Sequence, residues 1–158
     1  MHLTIKKGKH RSNWWLPKLT FKKAIVGRVT FLGDHEYDIG KYQKDSNKIC
    51  GLSDGFHHHI GSIRLGWRWN SVVKRIDLVG ICYNGGKREI KTITRVDTNK
   101  EIGFLISIEK DKYLVAVGEE FVTFERSSKW NFLRYYTKPF FGGVSRAPGD
   151  LKFKLELL

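Results

Sequence analysis

"SIRLGWRW", which runs from Ser62 to Trp69, decides the fold class because its large apolar residues fall on every second position. One side of the segment carries only apolar residues, namely Ile63, Leu65, Trp67 and Trp69. The other side carries Ser62, Arg64, Gly66 and Arg68. Successive side chains of a β-strand point to opposite faces, so this alternation predicts a strand with one buried face and one wetter face.

The same period of two recurs along the chain. "EIGFLISIEK" (101–110) and "DLKFKLELL" (150–158) alternate in the same way, and "YNGGKR" (83–88) contains the Asn-Gly step typical of a hairpin. No segment carries an apolar stripe of helical period over three turns. The sequence therefore predicts an all-β chain with strands near residues 3–7, 19–22, 25–32, 37–40, 60–69, 74–83, 88–96, 101–109, 112–117, 120–125, 132–138 and 150–157.

So many short antiparallel strands cannot form one open sheet without exposing a large apolar face. We therefore predict a two-sheet antiparallel β-sandwich with jelly-roll topology. A length of 158 residues suits one domain, 1–158. Residues 1–33 are expected to form basic N-terminal strands of this domain or an arm outside it.

Three stretches in the second half of the chain share a rhythm of short strands and tight turns. They are "RIDLVGICYNGGKREI" (75–90), "KYLVAVG" (112–118) and "KPFFGGVSRAPGDLKFKLEL" (138–157). In this half, from Arg75 to Leu158, the chain resembles the concanavalin A-like and laminin G-like jelly rolls. The resemblance implies a fold often used for glycan binding or polysaccharide cleavage, and it does not imply an activity. The E-x-D-x-x-E strand of the related endoglucanases does not occur in the sequence.

The net charge of +13 is the strongest compositional signal, and it is unevenly placed. No acidic residue precedes Asp34, whereas eight Lys and Arg residues do. Such a surface attracts polyanions, so an anionic glycan is the expected partner and nucleic acid is an alternative. A solubilising surface without a specific partner is the third interpretation, and the oligomeric state stays open.

The sequence predicts neither an exported nor a membrane-spanning chain. The N-terminal residues lack the apolar region of a signal peptide, and no apolar run approaches the length of a membrane span. We expect a cytoplasmic or virion-associated protein, unless the chain is a processed form of a secreted one. Cys50 and Cys82 lack CxxC spacing and are expected to be buried, reduced thiols, and no cofactor is predicted.

Three consecutive histidines, His57 to His59, raise the question of a metal site. In an extended segment, His57 and His59 share one side, and His35 or Asp54 would have to complete the ligand set. The alternative interpretation is a loop that enters a strand, with one imidazole hydrogen-bonded beneath the sheet. This alternative is favoured, because zinc motifs show a second ligand cluster at fixed spacing.

A polysaccharide lyase is the enzymatic hypothesis. Its chemistry requires a base, a cation beside the uronate carboxylate and an acid for the leaving oxygen. His58, Arg64 and a tyrosine, either Tyr83 or Tyr136, are residues of these types.

The main functional hypothesis is a non-catalytic, lectin-like sandwich that binds an extended anionic glycan. The expected contacts are Arg64 and Arg68 for carboxylates, because the guanidinium group forms paired hydrogen bonds, and Trp14, Trp15 and Tyr83 for stacking. A structural or nucleic-acid-associated jelly roll, such as a virion component, is the rival hypothesis. In a purely structural interpretation, both arginines pair with Asp77 or Glu89 on neighbouring strands and bind no ligand.

Overall fold

The computed structural model describes residues 1–14 and 18–158, and nearly every regular element in them is a β-strand. One six-stranded antiparallel sheet contains β1 (His2–Ile5), β12 (Leu151–Leu157), β3 (Ala24–Leu32), β8 (Glu101–Ile108), β9 (Lys112–Val117) and β10 (Glu120–Glu125), in that order. The other contains β2 (Leu19–Thr20), β11 (Arg134–Thr137), β4 (Asn47–Ser53), β5 (Gly61–Asn70), β6 (Arg75–Asn84) and β7 (Lys87–Val96). The predicted all-β, two-sheet antiparallel sandwich is confirmed.

The structure confirms the core-facing side predicted for β5, but the side expected to be wetter is largely covered, since Ser62 and Arg64 are also buried. Ile63, Leu65 and Trp67 are fully buried in the core between the sheets. Gly80 lies opposite Leu65 on β6, and a Cβ atom placed there would come within 2.9 Å of the Phe124 ring on β10. This face of the second sheet is therefore the one that packs against the first sheet.

The opposite face of the second sheet, called here the outer face, carries the other half of β5. Arg64 lies opposite Ile81 of β6, and Arg68 lies opposite Asp77. Val79 and Ile81 also belong to this face and are nevertheless fully buried. The outer face thus has an apolar floor that charged side chains cover.

A predicted strand that is absent and an observed strand that was not predicted are the main differences between sequence and structure. Residues 37–40 are not a strand: Gly40, at a φ of +61°, begins the 3-10 turn Gly40–Tyr42. Conversely, β4 was not predicted at all. Six of its seven residues are buried, so both of its faces are covered and the sequence shows no alternation.

Two smaller expectations concern cysteines and membrane spans. Cys50 and Cys82 are free and buried, as expected. No helix in the described part of the chain is long and apolar enough to cross a membrane.

Candidate functional site

The site lies on the outer face and is centred on Arg64. Arg64 comes from the middle of β5, between Gly51 of β4 and Ile81 of β6. A Cβ atom at position 51 would lie only 2.7 Å from Cγ of Arg64, so the glycine provides the room that this side chain occupies. The side chain is consequently covered by its surroundings, and Arg64 is only 6% exposed.

Arg64 has no acidic partner among the described residues. Its Nη2 donates to the carbonyl oxygen of His58 at 3.2 Å, and the guanidinium carbon lies 5.3 Å from the centre of the Tyr83 ring. Its Nε is buried without a hydrogen-bond partner. Burial lowers the pKa of Arg64, which reflects the cost of holding a charge there, yet an arginine remains protonated. The positive charge of Arg64 is therefore not neutralised by any carboxylate of the described residues, and an anion that contacted this guanidinium group would be stabilised by it.

Arg68, four residues along the same strand, is different. Its Nε lies 3.6 Å from Asp77, and Asp77 also accepts from Arg95 at 2.9 Å. The pairing with Asp77 is therefore found for Arg68 and not for Arg64. Of the two arginines predicted to bind ligand, only Arg64 lacks a carboxylate partner.

His58 lies beside Arg64, in the turn between β4 and β5. Two contacts connect it to Tyr135, whose hydroxyl lies 2.8 Å from Nδ1 and 3.0 Å from the backbone nitrogen of His58. The same hydroxyl lies 3.4 Å from the carbonyl oxygen of Phe56. Only one arrangement makes all three hydrogen bonds at once. In it the hydroxyl accepts from both nitrogens of His58 and donates to Phe56, which leaves Nε2 of His58 without a proton.

The imidazole of His58 is held in its neutral form. Burial lowers its pKa to about 4, and the positive charges of Arg64, His59 and His57 act in the same direction. A neutral imidazole at pH 7 is able to accept a proton, which is the requirement for a general base.

The turn that carries His58 is anchored from below by Asp54. The Asp54 carboxylate accepts from the Tyr113 hydroxyl at 2.7 Å, from Arg126 at 2.7 and 3.0 Å, and from Arg134 at 3.3 Å. All its oxygens are thus used within the protein. The Ser62 hydroxyl adds a bond to the carbonyl oxygen of His58 at 2.6 Å.

Lys48 of β4 adds a further cation to the outer face. Its Nζ donates to the carbonyl oxygen of Gly142 at 2.9 Å and lies 5.6 Å from the centre of the Phe140 ring. Burial, together with the charges of Arg64 and Arg88, lowers the pKa of Lys48 to about 8. Sequence reasoning missed this residue because it missed β4.

One tyrosine named from the sequence lies next to Tyr135, and Tyr135 itself was not named. The sequence suggested Tyr136, but Tyr136 pairs with Leu52 and is buried in the core, so Tyr135 is the tyrosine that reaches His58. Tyr83, the other tyrosine suggested, lies beside Arg64, with its ring centre 5.3 Å from the guanidinium carbon. Its role in binding or catalysis remains a prediction.

The suggested metal ligands are not brought together. His35 is fully buried in the core between Phe31 and Trp67, whereas His57 and His59 are exposed. Within the described residues there is no group of three or more His, Cys, Asp or Glu side chains that could hold a metal ion. The segment is also a hydrogen-bonded turn rather than an extended strand, since His57 accepts from Gly61 at 3.1 Å.

Of the two tryptophans proposed to stack on a ligand, the structure describes one. Trp14 is partly buried and packs against the core. Trp15 lies outside the described residues.

Carboxylates are scarce on this surface. By strand register, β4 to β7 place one acidic residue, Asp77, on the outer face. Its side chain is 6% exposed, and it is engaged by Arg68 and Arg95. The described outer face of these four strands therefore offers several cations and no pair of carboxylates.

The chain matches no protein-family model, and no curated protein matches it in sequence. Solved structures do match. Alginate lyase AlyC3 has a TM-score of 0.68 at 13% identity, over 99% of this chain and 74% of that one. Alginate lyase vAL-1 from Chlorella virus has a TM-score of 0.58 at 12% identity, over 99% and 82%. SCLam, a non-specific endo-beta-1,3(4)-glucanase from family GH16, has a TM-score of 0.55 at 14% identity, over 85% and 56%.

The protein has the concanavalin A-like jelly-roll fold. The resemblance noted in the second half of the sequence thus extends over the whole sandwich. The expectation of a non-catalytic, lectin-like module was wrong, because the similar solved structures are alginate lyases and family GH16 glucanases. These similarities give no support to a nucleic-acid partner, whereas polysaccharides are common to both groups of neighbours.

Proposed function

We propose that the protein is a polysaccharide lyase that cleaves a uronate-containing glycan by β-elimination on the outer face. The observation that carries the proposal is the buried, unpaired guanidinium of Arg64 beside the neutral imidazole of His58. One group attracts a carboxylate and the other accepts a proton. These are the two requirements for removing a hydrogen from the carbon next to a carboxylate.

Each step of the elimination has a candidate residue. The uronate carboxylate binds Arg64, where the charge that develops on it in the transition state is stabilised. Nε2 of His58 removes the proton from C5, next to the carboxylate. The electron pair of that C–H bond forms the C4=C5 double bond as the C4–O4 bond breaks. The departing O4 takes a proton from the Tyr83 hydroxyl, which regains one from solvent.

Lys48 assists by charge. With a pKa of about 8 it is mostly protonated at neutral pH, and it lies on the same face as Arg64. A second cation close to the buried guanidinium favours an anionic sugar over a neutral one.

Hydrolysis of the kind the glucanase neighbours are named for is the less favoured activity. A retaining glycosidase uses two carboxyl groups roughly 5–5.5 Å apart, one as nucleophile and one as acid. On strands β4 to β7 the described outer face carries only Asp77, which two arginines already engage. The chemistry of the site therefore supports elimination.

The neighbours support the same substrate class. Four of the similar structures are of alginate lyases and represent three enzymes, because AlyC3 occurs twice. One AlyC3 structure is a complex with dimannuronate, with a TM-score of 0.61 to this chain at 11% identity. The net charge of +13 agrees with an anionic polymer as substrate.

The test is a substrate panel followed by ultraviolet absorbance, because the C4=C5 bond conjugated to the carboxylate absorbs there. Polymannuronate, polyguluronate and polygalacturonate are the anionic members, and a mixed-linkage glucan is the neutral one. We expect absorbance to rise with at least one polyuronate and to vanish in Arg64→Met. Arg28→Met, an exposed arginine on the other sheet, is the matched control. Reducing ends released from the glucan alone, without ultraviolet absorbance, would overturn the proposal.

A further inference from the structure

Four aromatic side chains form a continuous row at the end of the sandwich near His58. The ring centroids of Phe21 and Phe132 are 6.1 Å apart, those of Phe132 and Trp130 are 6.1 Å apart, and those of Trp130 and Phe56 are 4.6 Å apart. Three of the rings are largely in solvent: Phe21 is 70% exposed, Phe56 82% and Phe132 60%. We call this set, Phe21, Phe132, Trp130 and Phe56, the aromatic row. Contiguous exposed apolar groups of this kind mark interaction sites.

The aromatic row is continuous with the proposed catalytic site. Phe56 directly precedes His57 to His59 in the chain, and its carbonyl oxygen is 3.4 Å from the Tyr135 hydroxyl that contacts His58. A polymer that reaches His58 from this side passes over Phe56 first.

A basic cleft adjoins the other side of Trp130. This cleft, of about 560 Å³, is lined by Lys23, Lys110, Arg126 and Lys129, together with Glu109 and Asp111. Arg126 is engaged by Asp54, but Lys23, Lys110 and Lys129 are exposed. Exposed aromatic rings therefore lie next to a cleft whose lining has four basic and two acidic side chains and thus a net positive charge.

We infer that the aromatic row and the basic cleft form a second binding site, which holds sugar units of an anionic glycan outside the catalytic site. The C–H faces of pyranose rings pack on aromatic rings, and the lysines attract carboxylates that point away from the stacked face. The choice of ligand rests on the proposed function. The site makes the protein prefer long chains to short oligomers, because only a long chain reaches both places.

Charge argues against a second copy of the protein as the occupant. In a two-fold dimer the same patch lies on both subunits, so Lys22, Lys23 and Lys129, all exposed around the row, would face their own copies. Like charges brought together across an interface oppose association. An anionic polymer meets the same lysines with opposite charge.

The test compares two exposed phenylalanines in different places: Phe132 lies in the loop before β11, and Phe121 lies on β10 of the first sheet. Phe132→Ala removes a ring from the middle of the row, and Phe121→Ala removes one that is 64% exposed on β10. Both are made in a His58→Ala background to prevent turnover, and binding to polymannuronate is measured at physiological salt. We expect about tenfold weaker binding for Phe132→Ala, the loss typical of part of a buried aromatic ring, and no change for Phe121→Ala.

Several results would overturn the inference. One is equal affinity of the two variants for polymannuronate. Another is a dimer seen by sedimentation that Phe132→Ala dissociates while glycan affinity stays the same. A third is Phe132-dependent binding to anionic phospholipid vesicles without binding to the glycan.

The inference and the proposed function fail separately. Phe132-dependent glycan binding by a protein that cleaves no polyuronate would leave the site standing and remove the lyase. Polyuronate cleavage by a protein whose glycan binding does not depend on Phe132 would leave the lyase standing and remove the second binding site.

Discussion

The Nδ1 atom of His58 lies 2.8 Å from the hydroxyl oxygen of Tyr135, although the two residues are 77 positions apart in the chain. The contact joins the turn between β4 and β5 to β11, two strands away from β5 in the sheet. It fixes the orientation of the imidazole and leaves Nε2 as its free nitrogen. A base that is oriented before substrate binds has no ordering cost during the reaction.

His58→Ala is expected to lower kcat by roughly 10²–10⁴-fold, the usual contribution of a general base. Tyr135→Phe leaves the imidazole in place but removes the hydroxyl that orients it. We therefore expect a smaller loss in kcat, with little change in KM. Steady-state kinetics on a polyuronate measure both. His59→Ala, an exposed neighbour, is the control. A His58→Ala enzyme with wild-type kcat would remove His58 from the mechanism.

The pH profile of kcat/KM is expected to have two limbs. His58 must be neutral to act, so the rate rises as pH increases through its pKa of about 4. Lys48 must be charged to attract the substrate, so the rate falls as pH increases through its pKa of about 8. Lys48→Arg keeps the charge to higher pH and should move the alkaline limb upward. An alkaline limb that does not move in this variant would show that Lys48 does not cause it.

Arg64→Met should stabilise the fold while it abolishes activity. The substitution removes an uncompensated buried charge, and a gain of roughly 1–2 kcal/mol in the free energy of unfolding is expected after loss of the contact with Tyr83. Arg68→Met should instead lower the free energy of unfolding, because buried Asp77 then loses one of its two arginine partners. Urea denaturation measures both values. A destabilised Arg64→Met would mean that Arg64 is structural.

Stability should fall as the solution is made acidic, in part because of His35. Burial lowers the pKa of this imidazole from 6.5 to about 4 in the folded protein. Below pH 6.5 the unfolded chain binds a proton that the folded protein does not, so stability is lost between about pH 6.5 and 4. The loss reaches about 3 kcal/mol at the lower limit. Urea midpoints at pH 7 and 5 test this, and His35→Leu should show a shallower dependence than the wild type.

The fold was predictable wherever one face of a strand is wet. The sequence of β12 alternates because its two faces meet core and solvent, and that of β5 alternates because its outer face carries polar side chains, although two of them, Ser62 and Arg64, are buried. β4 could not be predicted in this way. Arg64 and neighbouring side chains cover the outer face of β4, and its sequence "NKICGLS" shows no period. The apparent strand at 37–40 contains Gly40 at a positive φ, a conformation that only the structure reveals.

The candidate site was predictable in part for the same reason. Arg64 and Tyr83 follow from the register of a strand and a hairpin that the sequence shows clearly, whereas His58 lies in the turn before β5, where strand alternation does not apply. Lys48 depends on β4, and the choice between Tyr135 and Tyr136 depends on where β11 begins. The aromatic row joins residues from three loops, and no local pattern connects Phe21 with Phe132.

The most direct test of the proposed chemistry is the mass of the products formed from a polyuronate that the protein cleaves. Elimination leaves the new non-reducing end unsaturated, so each such fragment weighs less than the hydrolysis product by one water molecule. We predict fragments of the lighter mass, formed by the wild type and absent with Arg64→Met. Fragments of the heavier mass without any of the lighter mass would identify a hydrolase and contradict the assignment of His58 and Arg64 to an elimination.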